Sequence, residues 1–226
     1  MDVMLLFPAV LPLMFLACLL APARALEPAG PGFAWPDTPA TRRAAQDQLE
    51  TLNRELLSHP SATATLERWC GSHGIGAPAL VRAERVREAD ATVPDEVRAL
   101  LGAGPDTPVR HRRVRLVCGA VVLSDADNYY LPGRLTAEMN TALDTTDTPF
   151  GKAVRALDFR RRTLEARLLW TPAETLGASV TPAAATLEMP AFVLMHRAVL
   201  TLPDGTPFSA LIERYTSGVL AFPAPR

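Results

Sequence analysis

The sequence predicts an α+β fold with N-terminal helices packed on a mostly antiparallel sheet. Three observations predict it. Helical periodicity is confined largely to the first hundred residues, and long strand-like runs dominate the rest. Tight turn signals join those runs: Gly119 between two apolar stretches, and Pro203-Asp204-Gly205-Thr206 between the last two. No internal repeat competes with a single core.

The elements follow in order. Residues 3–23 carry no charge and are rich in Leu, Met, Phe and Ala, closing on Ala23-Arg24-Ala25, the pattern cut by a signal peptidase. Residues 1–25 are therefore expected to be an export signal, although Asp2 stands where a basic residue usually does. Two other readings stay open. The run is long enough to span a bilayer, with Pro8 and Pro12 against it, and Cys18 is positioned for lipid attachment, with Phe15-Leu16-Ala17 a poor lead-in. Residues 26–36, rich in Pro and Gly, read as a loose leader, and 37–226 as one domain.

A helix from about Asp37 places Ala45, Leu49, Leu52 and Leu56 on one face and stops at His59-Pro60. Ser61 caps a second helix, which turns Ala62, Leu66 and Trp69 inward and ends near Gly71. A strand over 78–88 and a short helix over 94–101, begun at Pro94, come next. Strands follow over 109–118 and 120–131, then a helix capped by Thr136 that uses Leu135, Met139 and Leu143. Asp147-Thr148-Pro149-Phe150-Gly151 turns into another short helical stretch, and 159–170 reads as a strand. A surface loop over 171–190 and strands over 192–202 and 208–219 complete the domain.

Lysine plus arginine number 23 against 24 acidic residues, a net charge of −1, and this balance suggests neither nucleic acid nor an acidic membrane as partner. Lys152 is the only lysine, and the abundance of Ala, Pro and Arg is that of a GC-rich bacterium. Beyond the leader the cysteines are Cys70 and Cys118; a disulfide and two buried thiols are both open. The four histidines, His59, His73, His111 and His196, are isolated, and no metal-ligand spacing is present. No metal or cofactor is expected.

Two clusters carry candidate chemistry. Glu213 is a carboxylate within the apolar strand Ser209-Ala210-Leu211-Ile212-Glu213-Arg214-Tyr215. It is either a general acid activated by burial or one half of an ion pair. Strand alternation places Val114, Leu116 and Cys118 on one face and His111, Arg113 and Arg115 on the other, with Arg160-Arg161-Arg162 adding guanidinium. An arginine-lined face suits a carboxylate ligand or is simply solvated.

In this order the segments resemble the chorismate lyase (chorismate pyruvate-lyase) family, whose fold is shared by the UTRA ligand-binding domains of bacterial regulators. Leu56-Leu57 followed by Ser61-Ala62-Thr63 resembles the family's early helix pair, with its carboxylate-contacting helix start. Arg113-Val114-Arg115-Leu116-Val117-Cys118 resembles its Arg-x-x-Leu-x-Cys strand, Thr148-Pro149-Phe150-Gly151 its Thr-Pro-Leu-Gly turn, and Leu211-Ile212-Glu213 the strand bearing its catalytic glutamate. The likeness covers roughly 50–220.

The resemblance implies cofactor-free elimination of pyruvate from chorismate, leaving 4-hydroxybenzoate. Glu213 would protonate the leaving group. Arg113 with Arg115, and the backbone at Ala62, Phe150 and Gly151, would orient the carboxylates. The alternative it implies is an exported, non-catalytic binder of a small aromatic or carboxylic acid, acting as a monomer. Two departures stand out. Ser124-Asp125-Ala126-Asp127-Asn128 puts two acids and an asparagine near the pocket, where the family has a small residue and an arginine. The export signal points to the periplasm, whereas chorismate is made and used in the cytoplasm; a later translation start would place this chain there too.

Overall fold

The computed structural model describes residues 34–86, 92–173 and 186–225. The export signal and most of the 171–190 loop lie outside the described residues.

Helix α1 spans Pro39–Ser58, with Thr38 as its N-cap and Pro39 in its first turn, and it buries Ala45, Leu49, Leu52 and Leu56. Helix α2, Ala62–Ser72, begins where the Ser61 hydroxyl accepts the Ala64 amide, and it turns Leu66, Trp69 and Cys70 inward. Strand β1 is Val81–Arg85, shorter than the stretch expected, and α3 is Asp95–Leu101. Strands β2 (Arg110–Cys118) and β3 (Val121–Tyr130) form a hairpin whose turn needs Gly119 at φ 58°. Helices α4 (Ala137–Thr145) and α5 (Phe150–Ala153) lead to β4, Arg160–Leu168. Strands β5 (Phe192–Thr201) and β6 (Pro207–Thr216) close the sheet through the Asp204-Gly205 turn.

All six strands pair antiparallel in the order β1-β2-β3-β6-β5-β4, so the fold is α+β as expected. The apolar sides of α1 and α2 meet Val114, Leu116, Leu194 and Tyr215 in the main core. A second cluster joins α4 and α5 to the same face through Met139, Leu143, Phe150, Leu200 and Phe208. Helix α3 packs Val97 and Leu101 on Tyr129, Val199 and Ala210 of the opposite face.

Two features tighten this arrangement. Cys70 and Cys118 form a disulfide that ties α2 to the end of β2, which settles the open choice between bridge and free thiols. Trp35, in the stretch read as a leader, is buried: its indole N–H donates to the Phe222 carbonyl at 2.7 Å. That end of the stretch therefore belongs to the core. Leu187, from the expected surface loop, is also buried, and its amide donates to the Trp35 carbonyl.

Candidate ligand-binding cavity

Between the starts of α2 and α5 and the helix-covered face of the sheet lies a small cavity that opens to solvent. Strand alternation supplies the floor: Val114 and Leu116 from β2, Ala126 and Asn128 from β3, Leu211 and Glu213 from β6. Leu200, Phe159 and Arg161 form one side, and Pro60 to Thr63 with Phe150 and Gly151 form the roof. The roof segments touch so closely that a Cβ on Gly151 would stand 3.2 Å from the Ser61 hydroxyl, which is why glycine fits there. Of the residues expected at the site, Ala62, Phe150, Gly151 and Glu213 come together here.

Glu213 is buried, and both of its oxygens are engaged. Oε1 accepts from the Ser124 hydroxyl at 3.2 Å and Oε2 from the Tyr215 hydroxyl at 2.8 Å. Arg161 Nη1 stands 3.7 Å from Oε2, with both side chains 4% exposed. Burial, and next the neighbouring Glu213 charge, push the Tyr215 phenol well above its ordinary value, so it stays a donor. This is the setting of a fixed acceptor with a cationic neighbour rather than of an isolated acid.

Arg113 and Arg115 are not part of the cavity. They alternate with Val114 and Leu116 and so point to the other face of the sheet. There Arg113 donates from Nε and Nη2 to the two oxygens of Asp125, at 2.9 and 3.1 Å, and Arg115 Nε lies 3.9 Å from the same carboxylate. Asp127 likewise meets His111 at 2.9 Å and Arg214 at 3.3 Å. The expected carboxylate-binding arginines are thus engaged by Asp125, and both acids expected near the pocket are paired away from it. Of that segment, Ala126 and Asn128 line the cavity.

Among the described residues, Arg161 is the arginine that lines the cavity; Arg112 lies on the same face of the sheet, outside the lining. Arg112 is buried; its Nη2 donates to the Thr148 carbonyl at 3.2 Å, while Nε and Nη1 have no partner among the described residues. Burial, and next the like charge of Arg85, hold its pKa below the ordinary value. Among the described residues, no group of three or more His, Cys, Asp or Glu could hold a metal ion.

No family profile matches the chain. It is 50% identical over 200 residues to the uncharacterized protein y4mC of Sinorhizobium fredii (strain NBRC 101917 / NGR234), an overlap of 84% of this chain and 83% of that one. The chain belongs to the y4mC family. Solved structures that it resembles include a possible transcriptional regulator and effector domains. PhnF from Mycobacterium smegmatis aligns with TM-score 0.45 and 17% identity over 85% of this chain and 92% of its own. The effector domain of that PhnF gives 0.44 and 16% over 70% and 88%. The effector-binding domain of the Bacillus subtilis trehalose repressor gives 0.36 and 11% over 60% and 90%.

In this member of the y4mC family, sequence reasoning passed over His196. The ring is fully buried beside Tyr215, its Nε2 is 2.7 Å from Asn53 Oδ1, and its Nδ1 has no partner among the described residues. Burial, and next the Arg161 charge, bring its pKa from 6.5 to about 4. The unfolded chain therefore takes up a proton between pH 6.5 and about 4 that the folded chain refuses, so stability is full above pH 6.5 and falls as pH drops through that window. The loss reaches roughly 3 kcal/mol. Denaturant titrations at pH 7 and pH 4.5 should show it, and His196→Gln should flatten the difference; an equal slope in the variant would assign the acid sensitivity elsewhere.

Proposed function

We propose that this protein binds a small carboxylic acid of aromatic size in the cavity roofed by α2 and α5. The observation that carries this reading is the guanidinium on the cavity face. One buried guanidinium, Arg161, lines the largely apolar cavity beside one carboxylate, Glu213, and its Nε and Nη2 have no hydrogen-bond partner among the described residues. Buried N–H groups without acceptors are costly, and the carboxylate of a ligand would supply the acceptors. The apolar walls suit a flat hydrocarbon body.

The test is a thermal-shift panel of benzoate, 4-hydroxybenzoate, pyruvate and their amides on the purified, oxidised protein. Acids should raise the melting temperature and amides should not; saturation at 100 times Kd corresponds to about 2.7 kcal/mol. A folded sample that answers to no carboxylate would sink the proposal.

A second reading, elimination of pyruvate from chorismate, is favoured by one observation. Glu213 lines the cavity together with Ala62, Phe150 and Gly151. Incubation with chorismate would then release pyruvate and 4-hydroxybenzoate, and Glu213→Gln would abolish it. Tightly bound acid with neither product would leave binding as the whole activity. The disulfide supports a place outside the reducing cytoplasm, in line with the export signal; fractionation with N-terminal sequencing of the native protein tests that placement.

A further inference from the structure

Arg161 lies on the cavity side of β4, one residue past the strand's start and on the same side as Phe159. Its side chain is 4% exposed, and Nη1 serves Glu213 at 3.7 Å. The other edge of the guanidinium, Nε and Nη2, is buried with no hydrogen-bond partner among the described residues. Those two N–H groups run parallel at a spacing that matches the two oxygens of one carboxylate. The same chain shows the match filled elsewhere, where Arg113 Nε and Nη2 take both oxygens of Asp125.

We infer that the Nε/Nη2 edge of Arg161 is the seat of the ligand's carboxylate. The inference rests on the binding reading above and sharpens it by assigning the contact and the ligand's orientation. Glu213 holds the guanidinium from its Nη1 side, and Tyr215 and Ser124 hold Glu213 in turn. The fork is therefore fixed before the ligand arrives, which limits the ordering cost of binding. With the carboxylate at Arg161, the body of the ligand extends over Val114, Leu116 and Leu200, all of which line the cavity. The class that fits is a planar monocarboxylate borne directly on a flat apolar body. One carboxylate satisfies both Nε and Nη2 of Arg161, and this single fork seats one carboxylate only.

Calorimetric titration with 4-hydroxybenzoate and with 4-hydroxybenzamide tests this. The oxidised wild-type protein should prefer the acid by at least about tenfold, the value of a charge-assisted, bidentate contact over a neutral one. Arg161→Gln should bring the two within about threefold, and Arg161→Lys, which keeps the charge beside Glu213 but lacks the fork, should keep part of the preference. Arg113→Gln should leave it intact. Melting curves of each variant show that it is folded, and Arg161→Lys carries the test if Arg161→Gln does not fold. Undiminished preference in a folded Arg161 variant, or its loss in Arg113→Gln instead, overturns the assignment while leaving the cavity a binding site. Binding of neither compound by folded wild-type protein overturns the binding reading and this inference together.

Discussion

Replacing both Cys70 and Cys118 with alanine should lower the unfolding free energy by about 4 kcal/mol on a chain-entropy estimate. The bridge closes a sequence separation of 48 residues, and opening it releases the denatured chain from that constraint. Both cysteines are fully buried, so each substitution also leaves a small void in the main core. The effect has a functional side. Helix α2 contributes the cavity roof at Ala62 and Thr63, and β2 contributes the floor at Val114 and Leu116; the bridge fastens these two elements together. Urea titrations of the oxidised protein, the reduced protein and the double-alanine variant check the prediction. The last two should unfold at a similar, lower urea concentration, and coincident curves for oxidised and reduced protein would refute it.

That bridge marks one boundary of what was legible in the sequence. Two cysteines with nothing else around them are equally consistent with buried thiols, because pairing depends on where α2 lies against β2. Local chemistry was readable wherever it is decided locally: Ser61 and Thr136 as caps, Gly119 and Asp204-Gly205 as turns, and the alternation of Val114, Leu116 and Cys118. The positions of Asp125 and Asp127 were not readable. Leu116 pairs with Ser124 whereas Val117 pairs with Val122, leaving Leu123 as an extra residue in β3. Counted from buried Leu123, simple alternation would turn both acids inward; the bulge sends them to the outer face, opposite Arg113 and Arg214. Arg161 was hidden for a related reason. It is the middle of three arginines, and only its alternation with Phe159 hints that it faces the cavity. Four of the expected site residues, Ala62, Phe150, Gly151 and Glu213, did converge, because they sit at helix starts and on an inward strand face.

Glu213→Leu should cost about 3–5 kcal/mol, the range for removing one partner from a buried ion pair. Three groups lose by it: Arg161 keeps its charge without its carboxylate neighbour, and the Ser124 and Tyr215 hydroxyls lose their acceptor. Arg161→Met should cost less, because Glu213 keeps two hydroxyl donors. The double variant Arg161→Met/Glu213→Leu should recover much of the loss, since an apolar pair of similar volume avoids desolvating either charge. Denaturant titration of the four proteins gives the coupling directly, and strict additivity would mean that the two side chains do not sense each other across 3.7 Å. A carboxylate probe adds a second readout. In Glu213→Leu the cavity keeps Arg161 with no buried carboxylate beside it, so benzoate should raise that variant's melting temperature more than it raises the wild type's. A residue needed to protonate a leaving group would show the opposite pattern, lost turnover with no gain in anion affinity. The same substitution therefore separates Glu213 as counter-charge from Glu213 as acid.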